Sequence, residues 1–256
     1  DNIGILDATT LGKIDIQGPD ASEFLNRIYT NAWLKLAPGR ARYGLMLKED
    51  GMIMDDGVTT CLAPGHYLMT TTTGGAATVL TWMERWLQTE WPELKVYLTS
   101  VTDQWSVMSV AGPYARTVLK AAGCDLDLDG DAFPFMSMQA GQVAGISARV
   151  SRISFSGELA FEISVDANRG LALWEAIMVA GRDYDITPYG TESMHVLRAE
   201  KGYVIVGQDT DGSVTPVDLG MDWIVSKKKD FIGRRSLSRS DTGRPNRKQL
   251  VGLKTE

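Results

Sequence analysis

"IDIQGPDASEFLNRI", residues 14–28, and "MSVAGPYARTVLKAA", residues 108–122, share one plan. Each is a short alternating strand, then Gly-Pro, then a helical pattern. Proline directly after the strand suits the first turn of a helix. Ala21, Phe24 and Leu25, like Ala115, Val118 and Leu119, then recur at helical spacing. Gly18 matches Gly112, Pro19 matches Pro113, Ala21 matches Ala115 and Leu25 matches Leu119. A unit met twice implies an internally duplicated fold.

The segment after each unit extends the match. The first unit leads to "EDGMIMDDGVTT" (49–60) and the second to "SFSGELAFEISV" (154–165), each a turn glycine and then a strand. Asp56 lies five residues after Gly51, and Glu162 five after Gly157. The expectation is a carboxylate at the same point of each repeat, drawn toward a common axis by pseudo-twofold packing. Two readings stay open: a ligand site, or surface carboxylates on half-exposed strands, where Asp and Glu ordinarily sit. The pair Asp55-Asp56 sharpens the question. Side chains alternate across a strand, so one should meet water and the other point inward. A buried carboxylate without a partner costs several kcal/mol or takes up a proton.

The remaining layout fits two α+β halves. "HYLMTTT" (66–72) reads as a strand, Gly74-Gly75 as a turn, and "ATVLTWMERWLQ" (77–88) as an amphipathic helix with Val79, Leu80, Met83, Trp86 and Leu87 on one side. "DANRGLALWEAIMVAG" (166–181) fills the same place in the second half, with Asp166 as candidate cap and Gly181 as the stop. Neighbouring strands lie close in sequence, which favours antiparallel sheets with helices packed on one face. The fold class expected is therefore α+β, with internally duplicated antiparallel sheets. Residues 184–237 differ: one helix near 190–199, then an extended run with Gly202, Gly207, Gly212 and Gly220, where Pro188 and Pro216 interrupt regular structure. The expected divisions are 1–98, 99–186, 187–245 (packing back on both halves) and 246–256, where "KQLVGLKTE" (248–256) reads as the start of a strand.

Composition narrows the function. With 256 residues, 44% apolar and a net charge of −6, the chain is an ordinary globular sequence without the basic surface that nonspecific nucleic-acid binding needs. It has no GxGxxG and no GxxxxGK[ST], and no apolar run of membrane-spanning length. Cys61 and Cys124 have no metal or redox spacing, and His66 and His195 are the only histidines, so a zinc site is not expected and a reducing, cytoplasmic setting is. The start at Asp1-Asn2-Ile3 and the abrupt end read as a fragment of a longer chain.

"GILDATTLGKIDIQGPDASEFLNRI", "EDGMIMDDGVTT", "SFSGELAFEISV", "HVLRAEKGYVIVGQDTDGSVTPVDLGMDWIV" and "KKDFIGRRSL" resemble, in order, the blocks of the aminomethyltransferase (glycine-cleavage T-protein) superfamily. Within it the chain is similar to the alpha chains of heterotetrameric sarcosine oxidases. The resemblance implies a tetrahydrofolate site at the junction of the repeated halves, closed by a C-terminal β-domain of which only the first strand would be present. It assigns Asp56 the catalytic place near folate N5 and N10, and Glu162 the pterin edge. Tyr43, Phe155 and Trp223 fall where the family sets rings, and Leu11 where it sets a methionine. The chemistry is consistent. A carboxylate accepts two pterin N–H groups at once, and a second can hold a proton while an amine captures a one-carbon iminium. Asp55 would be the solvent-side or structurally capped neighbour.

Departures refine the likeness. A family tyrosine is Phe155 here, and a family arginine aligns with Met194, which fits an oxidase-type relative better than a glycine-cleavage enzyme. Arg198 is expected to pair with Glu200 or a carbonyl. The Lys227–Lys229 run reads as a solvated face or as a clamp for a glutamate tail. The implied function is capture of the imine from sarcosine oxidation, giving 5,10-methylene-tetrahydrofolate and glycine. FAD, FMN and NAD would lie outside or at the edge of this stretch, and a flavin-containing beta chain and small accessory subunits would be partners. A free-standing aminomethyltransferase and a noncatalytic assembly module are the alternatives.

Overall fold

The computed structural model describes residues 3–253, and both Gly-Pro turns share one backbone conformation. Gly18 has φ +139° and Gly112 φ +131°, a region closed to residues with a Cβ. In each turn the alanine two residues after the proline bonds back to the glycine carbonyl, Ala21 to Gly18 and Ala115 to Gly112, both at 3.1 Å. In chain order the strands are β1 (Gly4–Asp7), β2 (Gly12–Gln17), β3 (Ala41–Leu47), β4 (Ile53–Ala63), β5 (His66–Thr71), β6 (Tyr97–Ser100), β7 (Trp105–Ala111), β8 (Met138–Val143), β9 (Ile146–Ser151), β10 (Ala160–Asp166) and β11 (Thr187–Pro188). The helices are α1 (Ala21–Ile28), α2 (Ala76–Thr89), α3 (Ala115–Ala121), α4 (Gly170–Ala180) and α5 (Thr191–Lys201).

These elements form two units. The first holds residues 12–38, 42–100 and 204–253; the second holds residues 3–11, 39–41 and 101–203. The first is built on a sheet of order β3-β4-β5-β2-β6. On α1, Ala21, Phe24, Leu25 and Ile28 are buried at helical spacing, and on α2 Val79, Trp82 and Met83 are. They join Ile14, Ile16, Tyr67 and Met69 in one core. A second cluster joins Leu45, Leu47 and Ile53 to Val204, Leu219, Ile224 and Phe231, so the turn-rich run after residue 203 packs on this unit's β3–β4 end. Its backbone is tied there as well: the Ile53 amide donates to Val214 at 2.8 Å and the Ser226 amide to Thr30 at 3.0 Å.

The second unit has sheet order β11-β1-β7-β10-β9-β8. Because β1 pairs antiparallel with β7, residues 3–11 belong here. Phe161, Ile163 and Val165 alternate into a core with Ile5, Val110, Leu119, Leu173 and Ile177. Three expectations are corrected. Pro188 does not interrupt the sheet but lies in β11, parallel to β1; β11 is an edge strand, where a proline without an N–H leaves no ladder bond unmade. Asp166 does not cap α4, because residues 167–169 wind a tight 3-10 turn and the Gly170 amide bonds Ala167 instead. Residues 248–253 form no strand, the Leu250 amide donating to Asp218 at 2.8 Å; the last three residues lie outside those described.

Register also revises the match of Asp56 with Glu162. The Gly18 amide donates to Gly65 at 2.9 Å, and the Gly112 amide to Leu159 at 2.8 Å. The strands entered after those acceptors are β5 and β10. Ile16 faces Tyr67 and Ile14 faces Met69 in one unit; Val110 faces Phe161 and Met108 faces Ile163 in the other. The counterpart of β10 is therefore β5. Glu162, opposite Ser109, takes the place of Leu68, opposite Asp15. Asp56 lies one strand further out, on β4. Each half contains more than one glycine turn leading into an alternating strand, and hydrogen-bond register alone tells them apart.

Candidate functional site

Asp56 is half-buried on β4. Its Oδ2 accepts a hydrogen bond from the hydroxyl of Tyr43, on β3, at 2.7 Å. Tyr43 is seated by its strand: its ring packs against the Leu45, Leu47 and Ile53 cluster, and its carbonyl accepts from Asn31 at 2.8 Å. Burial raises the Asp56 carboxyl to about 7, the Tyr43 bond opposes that rise, and the charge of Asp55 adds to it. Burial first, then the Asp56 charge, push the Tyr43 phenol far above its usual value, so it remains a donor. Nearby, Tyr29 and Thr59 share a hydroxyl bond of 3.0 Å. The result is a carboxyl able to gain or lose a proton near neutral pH, which suits a general acid or base.

Asp55 is not on the solvent side. It is 1% exposed, the deeper of the pair. Its Oδ1 accepts from the Asp56 amide at 2.9 Å and from the Thr72 amide at 3.4 Å. Burial raises its carboxyl, and these bonds oppose the rise. The neighbour was expected to be solvated or capped, and it is the capped one.

The other expected residues are spread over both units. Glu162 is half-buried on β10, between the fully buried Phe161 and Ile163, and alternation turns it away from their core. The Tyr189 phenol is raised by burial and by the Glu162 charge, and lowered by a bond with Ser109, the residue facing Glu162 across the ladder. Phe155 lies in the loop between β9 and β10 and stacks on Tyr203, centroids 6.1 Å apart at 17°. Leu11 is half-buried just before β2, its amide bonding Ala8. Trp223, in a 3-10 turn of the first unit, is 71% exposed. The structure thus brings Tyr43 and Asp56 together in one unit, and Glu162, Ser109 and Tyr189 in the other.

Arg198 is buried and donates to the Tyr203 carbonyl at 3.1 Å, the carbonyl alternative. The lysine run divides. Lys227 and Lys228 are exposed, but Lys229 turns inward and donates to the carbonyls of Asn26 and Tyr29 at the C-terminal end of α1. Those carbonyls are the negative end of the helix dipole. Burial, with Arg234 adding to it, lowers the Lys229 ammonium to about 7. Sequence reasoning missed Tyr189, Thr72 and Gly75 as site neighbours; none carried a local signal, since each arrives through pairing or a helix start distant in the chain.

Known proteins share this sequence and this fold. The family model described as the GCVT N-terminal domain matches residues 1–229. A sarcosine oxidase subunit alpha from Corynebacterium sp. (strain U-96) is 61% identical over 254 residues, 99% of this chain and 26% of the relative. An aminomethyltransferase from Halothermothrix orenii is 30% identical over 252 residues, 98% of this chain and 68% of the relative. Among solved structures, the glycine cleavage system aminomethyltransferase T from Bartonella henselae superposes with a TM-score of 0.80 at 26% identity, over 92% of this chain and 62% of that one. The chain spans about a quarter of the length of the sarcosine oxidase alpha subunit it matches.

Proposed function

This chain belongs to the GCVT N-terminal domain family, and we propose that it is the tetrahydrofolate-binding region of a sarcosine oxidase alpha subunit. In this reading it captures the one-carbon unit from sarcosine oxidation as 5,10-methylene-tetrahydrofolate, and glycine leaves. The alpha-subunit assignment draws on the 61% identity across 99% of the chain. The oxidation itself, with FAD, FMN and NAD, is assigned to other parts of a cytoplasmic hetero-oligomer that includes a flavin-carrying beta chain.

One observation carries the chemical part: Asp56, half-buried, bonded to Tyr43 and raised to about 7. Tetrahydrofolate, when bound, supplies the amine that takes up the one-carbon unit. Asp56 would hold or return a proton there, and Tyr43 would orient its carboxyl and steady the charged form. Negative charge at this point also favours a cationic one-carbon donor over its neutral forms. Glu162 is proposed as the acceptor for the pterin edge, and Phe155, Trp223 and Leu11 as apolar contacts; these four rest on the resemblance.

Calorimetric titration of the native protein with tetrahydrofolate tests the reading, with Glu162→Gln and Asp56→Asn beside it. Hydrogen bonds to a charged group contribute roughly 1.5–3 kcal/mol, so Glu162→Gln is expected to weaken binding by about one to two decades. Asp56→Asn is expected to keep most of the affinity and lose the capture of the one-carbon unit. A wild-type protein that takes up no tetrahydrofolate at millimolar concentration overturns the proposal.

A further inference from the structure

We propose that Asp55 is the positioning residue of Asp56: set against the first turn of α2, it fixes the strand at Asp56, and its charge opposes a second charge there. The contacts carry the first part. One oxygen of Asp55 receives the Asp56 amide and the Thr72 amide, so a single atom ties β4 to the chain that leads from β5 into α2. The other oxygen, Oδ2, is buried, and the Thr72 side chain also steadies the charged carboxylate. It lies beside Gly75, the residue just before α2, where an added Cβ would lie 2.1 Å from it and 2.6 Å from the Thr72 hydroxyl oxygen. Gly75 has φ −85° and ψ −15°, a conformation open to any residue. Its backbone therefore does not require glycine; the space taken by the Asp55 carboxylate and the Thr72 hydroxyl does.

Helix α2 supplies the reason for a carboxylate at that place. Its N-cap residue, Gly75, has no side chain to cap it, the Thr72 hydroxyl accepts the Gly75 amide at 3.1 Å, and the first turn holds no acidic residue. The positive end of the helix dipole favours an anion beside it, and Asp55 provides one. The Asp55 charge raises the Asp56 carboxyl, since two adjacent buried carboxyls do not both ionise freely. Titratable groups around the pair include the phenols of Tyr43 and Tyr29. The same sheet carries the cations Arg42, on the neighbouring β3, and the buried Lys13, on β2 two strands away. The catalytic consequence rests on the proton-carrying role proposed for Asp56; the coupling of the two aspartates does not.

Carboxyl carbon NMR of the native protein tests the coupling without folate, with the Asp56 signal identified by its loss in Asp56→Asn. Asp55→Asn keeps an acceptor of the same size and removes the charge. Gly75→Ala keeps the charge and drives a methyl into Oδ2. The Asp56 midpoint is expected to fall by about one unit in Asp55→Asn, and to move in Gly75→Ala, where the charge stays but its carboxylate is displaced. The acid limb of one-carbon capture should follow the midpoint to lower pH in Asp55→Asn, with tetrahydrofolate affinity nearly unchanged. If Asp55→Asn does not fold, the Gly75→Ala midpoint decides. An Asp56 midpoint unmoved in the folded variants overturns the proposal. A midpoint that moves while Asp56→Asn leaves capture intact supports the coupling and overturns instead the assignment of Asp56.

Discussion

The hydroxyl of Tyr43 lies 2.7 Å from Oδ2 of Asp56 and donates to it. The bond opposes the effect of burial on the carboxyl. Tyr43→Phe removes the donor and keeps the ring that packs against Leu45 and Leu47. The Asp56 midpoint should then rise further above 7, because the charged form loses its partner. An NMR titration checks the direction, and the acid limb of any capture activity should move to higher pH with it.

Stability should report the same carboxyl. The folded-state value of Asp56, about 7, lies above the unfolded one. Between about pH 4 and pH 7 the folded protein therefore holds the extra proton, and its stability falls as pH rises across that window. Asp56→Asn does not titrate. Its stability relative to wild type should climb through the window by on the order of 1–3 kcal/mol and level off above it. Urea unfolding at a series of pH values measures this.

Asp218 and Arg247 predict the opposite sign. Asp218 is 5% exposed; Arg247 Nε reaches its Oδ1 at 2.8 Å and Nη2 its Oδ2 at 2.6 Å, while the Thr215 amide and hydroxyl also bond Oδ2. Burial raises the Asp218 carboxyl, but Arg247 and Thr215 outweigh it and hold it below its usual value. The stabilisation from this group is present above the unfolded carboxylate value and lost as pH falls through the lower, folded one. Arg247→Ala leaves Asp218 only its Thr215 donors and should cost about 1.5–3 kcal/mol at neutral pH. The deficit should shrink in acid, as thermal melts at neutral and acidic pH would show.

Gly18→Ala tests the Gly-Pro turn. The φ of +139° is strained for alanine, and the new Cβ would lie 2.1 Å from the Lys95 carbonyl oxygen. The loss should exceed about 2 kcal/mol. Pro19→Ala keeps the glycine and should cost far less, and comparing the two melting temperatures separates the glycine's role from the proline's.

Much of this was legible in local patterning. The two Gly-Pro units, the helices after them, and α2 with its Val79–Met83 face were all readable, because each depends on residues within a turn or two of one another. The carboxylates were less so. Asp55 and Asp56 are adjacent in sequence, and alternation allowed either to be the inner one. The choice fell to Gly75 and Thr72, which arrive from the start of α2, and to Tyr43, which arrives from β3. Lys229 looked like part of a solvated run because its acceptors are the end of a helix some two hundred residues earlier.

The sequence by itself determined that the chain is duplicated, where its turns must hold glycine, and which residue types were available for the proposed chemistry. Only the tertiary structure decided that β10 corresponds to β5, that Glu162 occupies the place of Leu68, and that Asp55 is the buried anchor beside a half-buried Asp56. The physical reason is that turn and helix signals are local, whereas strand register and the neutralisation of a buried charge depend on partners brought from distant parts of the chain.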